Sequence, residues 1–275
     1  MTLRHAYLKA RSLTRSVFGA LPDFLIIGAQ KGGTTSLYRN LLQHPWVVPA
    51  LRKEIHFFDR EYSRGLRWYN GQFQVAYKKK IYSRIVEGRS MLTGEATPSY
   101  LYHPHAPARV FETLPHAKII IMLRNPVDRA FSNHQYHVKL KAESLPFEDA
   151  IAREAYRLAS NFDPAGDDYE SDSFYNYSYL ARGRYIEQVQ RWLSVFPREQ
   201  VLIIKSEDFF QNEAAVFRET LMFLGLPDME VGNLDPHNVG GSSRMRSETR
   251  KRLSEYFLPY NERLYAYLNR DFGWS

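Results

Sequence analysis

The sequence contains no cysteine. Disulfides, thiolate metal sites and cysteine nucleophiles are therefore excluded. A chain without cysteine fits a reducing compartment, so a cytoplasmic location is expected. No apolar run approaches the roughly 20 residues that cross a bilayer. No cluster of His, Asp and Glu has metal-ligand spacing, so no metal is expected. Internal repeats and long linkers are also missing. Nucleic-acid signals are thin: Lys78, Lys79 and Lys80, with Tyr77 and Tyr82 nearby, read as a solvated basic face, and nucleic acid is not an expected partner.

What remains is an ordinary globular composition. The chain has 275 residues, of which 44% are hydrophobic and 24% charged, enough for one large core. Lys and Arg outnumber Asp and Glu by 37 to 30, giving a net charge of +7. That surplus favours anionic partners without choosing among them. The 19 tyrosines and 17 phenylalanines serve either core packing or a sugar-facing surface. Residues 1–20 form a basic leader, with Arg4, Lys9, Arg11 and Arg15 among Leu3, Leu8, Leu13 and Phe18. It reads either as a frayed solvated segment or as an amphipathic stretch for peripheral membrane contact. Residues 21–275 are expected to form a single domain.

Short apolar runs alternate with helical spacing along that domain. Phe24–Ile27, Ile119–Leu123 and Val201–Ile204 read as buried strands, and Met91–Thr93 as a fourth. Helical faces follow: Leu37, Leu41 and Leu42 before Pro45; Ile186, Val189, Leu193 and Phe196 before Pro197; Phe217, Leu221 and Leu224 before Gly225; and Leu253, Phe257, Tyr260, Leu264 and Tyr267. Alternation of this kind predicts an α/β fold with a central parallel sheet flanked by helices. In such sheets ligands bind beyond the carboxyl ends of the strands. The three clearest strands end at Gly28–Lys31, Arg124 and Lys205. Residues 161–177, rich in Asp, Ser, Gly and Tyr, read as a loop, either covering a substrate or inserted on the surface.

The strongest local signal is residues 28–36, Gly-Ala-Gln-Lys-Gly-Gly-Thr-Thr-Ser. It follows a strand and opens a helix. Gly32 and Gly33 let backbone N–H groups close around an anion. The helix start at Thr34, Thr35 and Ser36 adds N–H donors and hydroxyls, and Lys31 adds an ammonium. The order differs from G-x-x-x-x-G-K-[ST], because Lys31 precedes the glycine pair. Arg124 leaves the end of an apolar strand, placed to grip a phosphate or to pair with Asp128. Ser132 lies two helical turns later, on nearly the same face.

Together these residues resemble the sulfotransferase superfamily, in the branch of the heparan sulfate N- and 3-O-sulfotransferases and their bacterial relatives. The resemblance runs from about Leu21 to Trp274 and rests on motifs in the family's order. Residues 30–35 are similar to its 5′-phosphosulfate loop. Residues 53–59, Lys-Glu-Ile-His-Phe-Phe-Asp, resemble its segment with the catalytic carboxylate, and residues 94–100 its next block. Residues 124–132 resemble its 3′-phosphate site, and residues 191–197 and 261–274 match in character.

The resemblance implies a P-loop-like sulfotransferase fold and transfer of a sulfuryl group from 3′-phosphoadenosine-5′-phosphosulfate (PAPS), leaving 3′-phosphoadenosine-5′-phosphate (PAP). It implies Lys31 at the leaving oxygen, Glu54 as base and a hydroxyl or amine acceptor, with carbohydrate favoured. Lys31, Gly32, Gly33, Thr34, Thr35, Ser36, Arg124 and Ser132 would hold the nucleotide; from its own residues, the segment 238–246 offers Ser243 and either Arg244 or Arg246 to close over it. Read from position alone, Glu54 is either that base or a surface carboxylate paired with Lys53 or Arg52. His56 either orients Glu54 or the acceptor, or is packed structure; Glu95 is either a second carboxylate near the acceptor or a structural hydrogen-bonding group. Two departures stand out: the heparan sulfate enzymes have a Lys where this chain has Ala96, and a Lys-Gly-Arg run where residues 238–246 differ. Two other readings stay open: a P-loop kinase, and a non-catalytic protein that binds anionic glycans.

Overall fold

The computed structural model describes residues 20–73, 91–159, 172–229 and 245–274. Five strands form one parallel sheet: β1 (Phe24–Gly28), β2 (Val47–Pro49), β3 (Leu92–Ala96), β4 (Lys118–Leu123) and β5 (Val201–Lys205), in the order β2-β3-β1-β4-β5. The early strands extend the sheet to one side of β1 and the late strands to the other. The order of winding therefore reverses beside β1, where an open parallel sheet has its binding crevice.

The apolar runs became strands because both faces are covered. Residues 24–27 are at most 1% exposed, and residues 119–123 are completely buried. Each fully buried Leu, Ile or Phe side chain contributes about 1.5–3 kcal/mol. Leu25, Ile27, Ile119, Ile121 and Leu123 face one core with Trp192 and Phe196. Phe24, Ile26, Ile120 and Met122 face a second with Leu37 and Phe217.

The helix after β1 is α1 (Thr34–Leu41); α2 (Leu66–Asn70) lies between β2 and β3 in the chain, and α3 (Ala106–Thr113) between β3 and β4. After β4 comes α4 (Pro126–Lys139), whose start is capped by Asn125 accepting from Val127 N and Asp128 N. Three short helices follow: α5 (Phe147–Ala152), α6 (Glu154–Ala159) and α7 (Asp172–Asn176). The last part of the expected 161–177 loop is thus helical, and residues 160–171 lie outside the described residues. α8 (Tyr185–Leu193) precedes β5. α9 (Ser206–Gln211), α10 (Glu213–Leu224) and α11 (Ser247–Leu268) complete the chain.

One expected strand shifts and one strand is new. The fourth strand extends to Ala96, so Glu95 lies within it, completely buried. β2 was not anticipated. The C-terminal end folds back on the sheet: Trp274 Nε1 donates to Glu207 Oε2 at 3.2 Å, and Glu207 Oε1 accepts from Asn125 N at 2.8 Å.

Candidate active site

At the carboxyl end of β1 the chain turns sharply. Ala29 N donates to Met122 O of β4 at 2.6 Å, and Gly32 N donates to Ala29 O at 2.9 Å. A Cβ at Gly32 would lie 2.7 Å from Met122 O and 2.9 Å from Ala29 O, so only glycine fits there. Gly32 O accepts from Ser206 Oγ at 2.7 Å, which ties the loop to the end of β5. Gly33, with φ of 95°, is the N-cap of α1, and no side chain caps that helix. Its first N–H groups therefore face outward with a positive partial charge. Thr34 and Ser36 are buried, whereas Thr35 and Lys31 are half-exposed.

Cations gather at this loop. Arg124 Nη1 donates to Lys31 O at 3.2 Å. Lys31 Nζ lies 4.4 Å from the centre of the Tyr136 ring. Burial, followed by the charges of Arg124, Lys53 and Lys139, holds the Lys31 ammonium below its usual proton affinity. Among the described residues neither Lys31 nor Arg124 is ion-paired. The alternative partner for Arg124, Asp128, instead meets Arg250 at 2.6 Å. Tyr185 Oη fixes the Arg124 backbone by donating to its carbonyl at 2.8 Å. Ser132 is half-exposed on α4. Ser243 and Arg244 lie outside the described residues, as does the Lys78–Lys80 run.

On the β3 side of β1, the segment after β2 carries the carboxylates. Glu54 is 38% exposed and ion-paired. Its Oε1 meets Lys53 Nζ at 2.5 Å, and its Oε2 faces His56 Nε2 at 3.4 Å. Arg52 instead reaches Ile55 O. His56 adopts a left-handed φ of 58°, and its carbonyl accepts from Arg60 N and Glu61 N. That tight turn brings His56 Nδ1 to 3.0 Å from Asp59 Oδ2, and Ser99 Oγ donates to the same oxygen at 2.5 Å.

Burial alone would favour neutral His56. Hydrogen bonds to Asp59 and Glu54 outweigh it and raise the imidazole to about 9. Burial likewise pushes Glu54 and Asp59 up, but the hydrogen bonds from His56 lead the opposing effects and hold both below their usual range. His56 is therefore a charged bridge between two carboxylates. The imidazole thus faces Glu54 on one side and Asp59 on the other.

Glu95 has the structural role. Tyr69 Oη donates to it at 2.7 Å, Thr97 Oγ1 at 2.6 Å and Ile55 N at 3.3 Å. Burial raises its carboxyl to about 7. It anchors the backbone next to Glu54.

Several residues not singled out in the sequence also belong here: Lys53, Asp59 and Ser99, and a buried polar face of α4. Among the described residues, the amide of fully buried Asn133 has no partner, and His137, 4% exposed, has none for either ring nitrogen. Burial lowers His137 to about 4, helped by the charges of Arg182 and Lys31. The 3.6-residue period puts Asn133 and His137 on one face, but apolar periodicity does not reveal polar groups turned inward.

The chain matches the family model described as the sulfotransferase domain over residues 21–238. It belongs to the sulfotransferase family. A sulfotransferase from Alicyclobacillus acidocaldarius has a similar structure, with a TM-score of 0.70 and 35% identity, over 92% of this chain and 97% of that one. The membrane-associated sulfotransferase kil1 of Dictyostelium discoideum is 30% identical, over 93% of this chain and 67% of its own length. The heparan sulfate glucosamine 3-O-sulfotransferase 3A1 of Mus musculus is 30% identical, over 93% of this chain and 65% of its own. The chain thus spans about two thirds of the length of these curated relatives. Its α/β architecture is that of this sulfotransferase family. Among the described residues no helix is long and apolar enough to cross a membrane, and no group of three or more metal-ligating side chains occurs.

Proposed function

We propose that this sulfotransferase moves a sulfuryl group from PAPS to a hydroxyl of a carbohydrate. The observation that carries the reading is the pairing, on either side of β1, of an anion-ready loop with a base held by a charged imidazole. The 5′-phosphosulfate would occupy the loop of residues 30–36, and the 3′-phosphate would meet Arg124 and Ser132. Ser243 and Arg244 would close over the nucleotide. Residues 21–275 would act as one domain. The basic leader of residues 1–20 would give peripheral membrane contact to an otherwise cytoplasmic enzyme.

The transfer is in line. Glu54 takes the proton of the acceptor hydroxyl while its oxygen forms the new bond to sulfur. The bond from sulfur to the bridging phosphate oxygen breaks, and its electron pair stays on that oxygen beside Lys31. The products are a sulfate ester and PAP. Catalysis is mainly positioning and electrostatics. The sulfuryl group carries less charge than a phosphoryl group, so Lys31 and the loop amides suffice without a metal clamp. The relatives named for heparan sulfate glucosamine support a sugar acceptor. Ala96 replaces a lysine expected from that branch, which argues for an acceptor of different charge.

Calorimetry with PAP and AMP tests the donor site. PAP is expected to bind at least tenfold more tightly; equal affinity overturns the reading. Radiolabelled PAPS offered with a panel of neutral and uronate-containing oligosaccharides tests the acceptor class, and label confined to non-carbohydrate acceptors refutes it.

A further inference from the structure

Lys53 stands between the two halves of the site. Its ammonium donates to Thr35 Oγ1 on α1 at 2.7 Å and meets Glu54 Oε1 at 2.5 Å. Thr35 belongs to the candidate donor loop and Glu54 is the candidate base, 18 and one residues away in sequence. The Lys53 backbone is fixed as well, since its carbonyl accepts from Ala96 N of β3 at 3.2 Å. A half-exposed lysine commonly forms a loose surface pair with little net effect. Here the ammonium has a hydroxyl from another element as a second partner, and the carboxylate is held on its other oxygen by His56.

We propose that Lys53 is a positioning residue that couples the donor loop to the base. The inference rests on the reading of Glu54 as base and of residues 30–36 as donor loop. Two physical consequences follow. Glu54 is pinned at both oxygens, by Lys53 on one side and His56 on the other, which fixes the direction of its remaining lone pairs. Thr35 accepts from Lys53, so its own O–H points elsewhere and is polarised towards an anion in the loop. The same charge bears on Lys31, whose proton affinity it helps to depress. One cation thus acts on the leaving-group lysine, the loop hydroxyl and the base.

The test uses the full chain with Lys53→Met and Lys53→Arg, alone and combined with Glu54→Gln. Lys53 is on the surface, so the variants are expected to fold, and calorimetry with PAP checks this. PAP affinity should stay within about threefold in Lys53→Met, while kcat with the oligosaccharide that takes up label falls about 30-fold. On the Glu54→Gln background the same change should cost less than about threefold, because residues acting as a unit are not additive. Lys53→Arg should restore most of the rate. An equal loss on both backgrounds, or no loss, overturns the inference. Nitrogen-15 NMR titration of His56 gives an arm that needs no acceptor. Without Lys53 the imidazole should titrate higher, and Lys53→Arg should reverse the shift; an unmoved titration overturns the coupling. Failure of PAP to bind the unaltered protein would instead remove the donor-loop reading itself.

Discussion

On the β4 side of β1, Arg124 points a donor at the Lys31 carbonyl, and Lys31 faces an aromatic ring. On the β3 side, Glu54, Asp59 and Glu95 each meet a cation or a hydroxyl. The first rim holds positive charge without an internal counter-ion among the described residues; the second is balanced within itself. The difference fits the two tasks proposed for these rims. Binding an anionic donor needs charge left uncompensated until the ligand arrives, whereas proton transfer needs groups already oriented before it arrives.

Exchanging the roles is the most forceful way to break this contrast. Glu54→Gln should lower transfer at least about 1000-fold and leave PAP affinity within about twofold, read by turnover and calorimetry. Arg124→Ala should do the reverse in binding: PAP affinity falls about 100-fold, AMP affinity changes little, matching the roughly 1.5–3 kcal/mol of a hydrogen bond to a charged group. Gly32→Ala should weaken PAP and AMP binding alike, because the added methyl group has no room against Met122 O; equal losses for both ligands in calorimetry mark a loop defect rather than a lost 3′-phosphate contact.

The smallest effect sharpens the balanced rim. His56 binds its proton more tightly in the fold than its ordinary 6.5, at about 9. A raised histidine contributes stability that is fully present below pH ~6.5 and is lost as pH rises through about 9, since the unfolded chain then binds fewer protons. Thermal unfolding should therefore show the wild type losing its advantage over His56→Asn between pH 6.5 and 9. A constant difference across that range removes the charged bridge.

Legibility in the sequence followed the distance over which each feature is determined. β1, β4 and β5 are apolar runs and could be read directly. β2 could not: Val47–Pro49 has three residues, and its strand character comes from pairing with β3. β3 was only partly legible, since Gly94 and Glu95 break its apolar pattern and tertiary burial overrides local preference. Glycine spacing, strand ends and motif order located the loop of Lys31, the segment of Glu54 and the strand end at Arg124, which the fold brings to one edge of the sheet. The bridge from His56 to Asp59 and Ser99 was not, because it depends on a left-handed turn at His56 and a hydroxyl 40 residues away. The inward face of α4 was hidden because Asn133 and His137 are polar residues buried by the packing of α4, which apolar periodicity does not mark.

Trp274 has a mechanical role. Its indole holds the Glu207 carboxylate, which in turn holds the amide of the residue after Arg124. Trp274 therefore acts as a latch on the corner that carries Arg124. Clipping it, or crowding it with a bulky fusion, would slacken that corner while leaving every charged group of the grip in place.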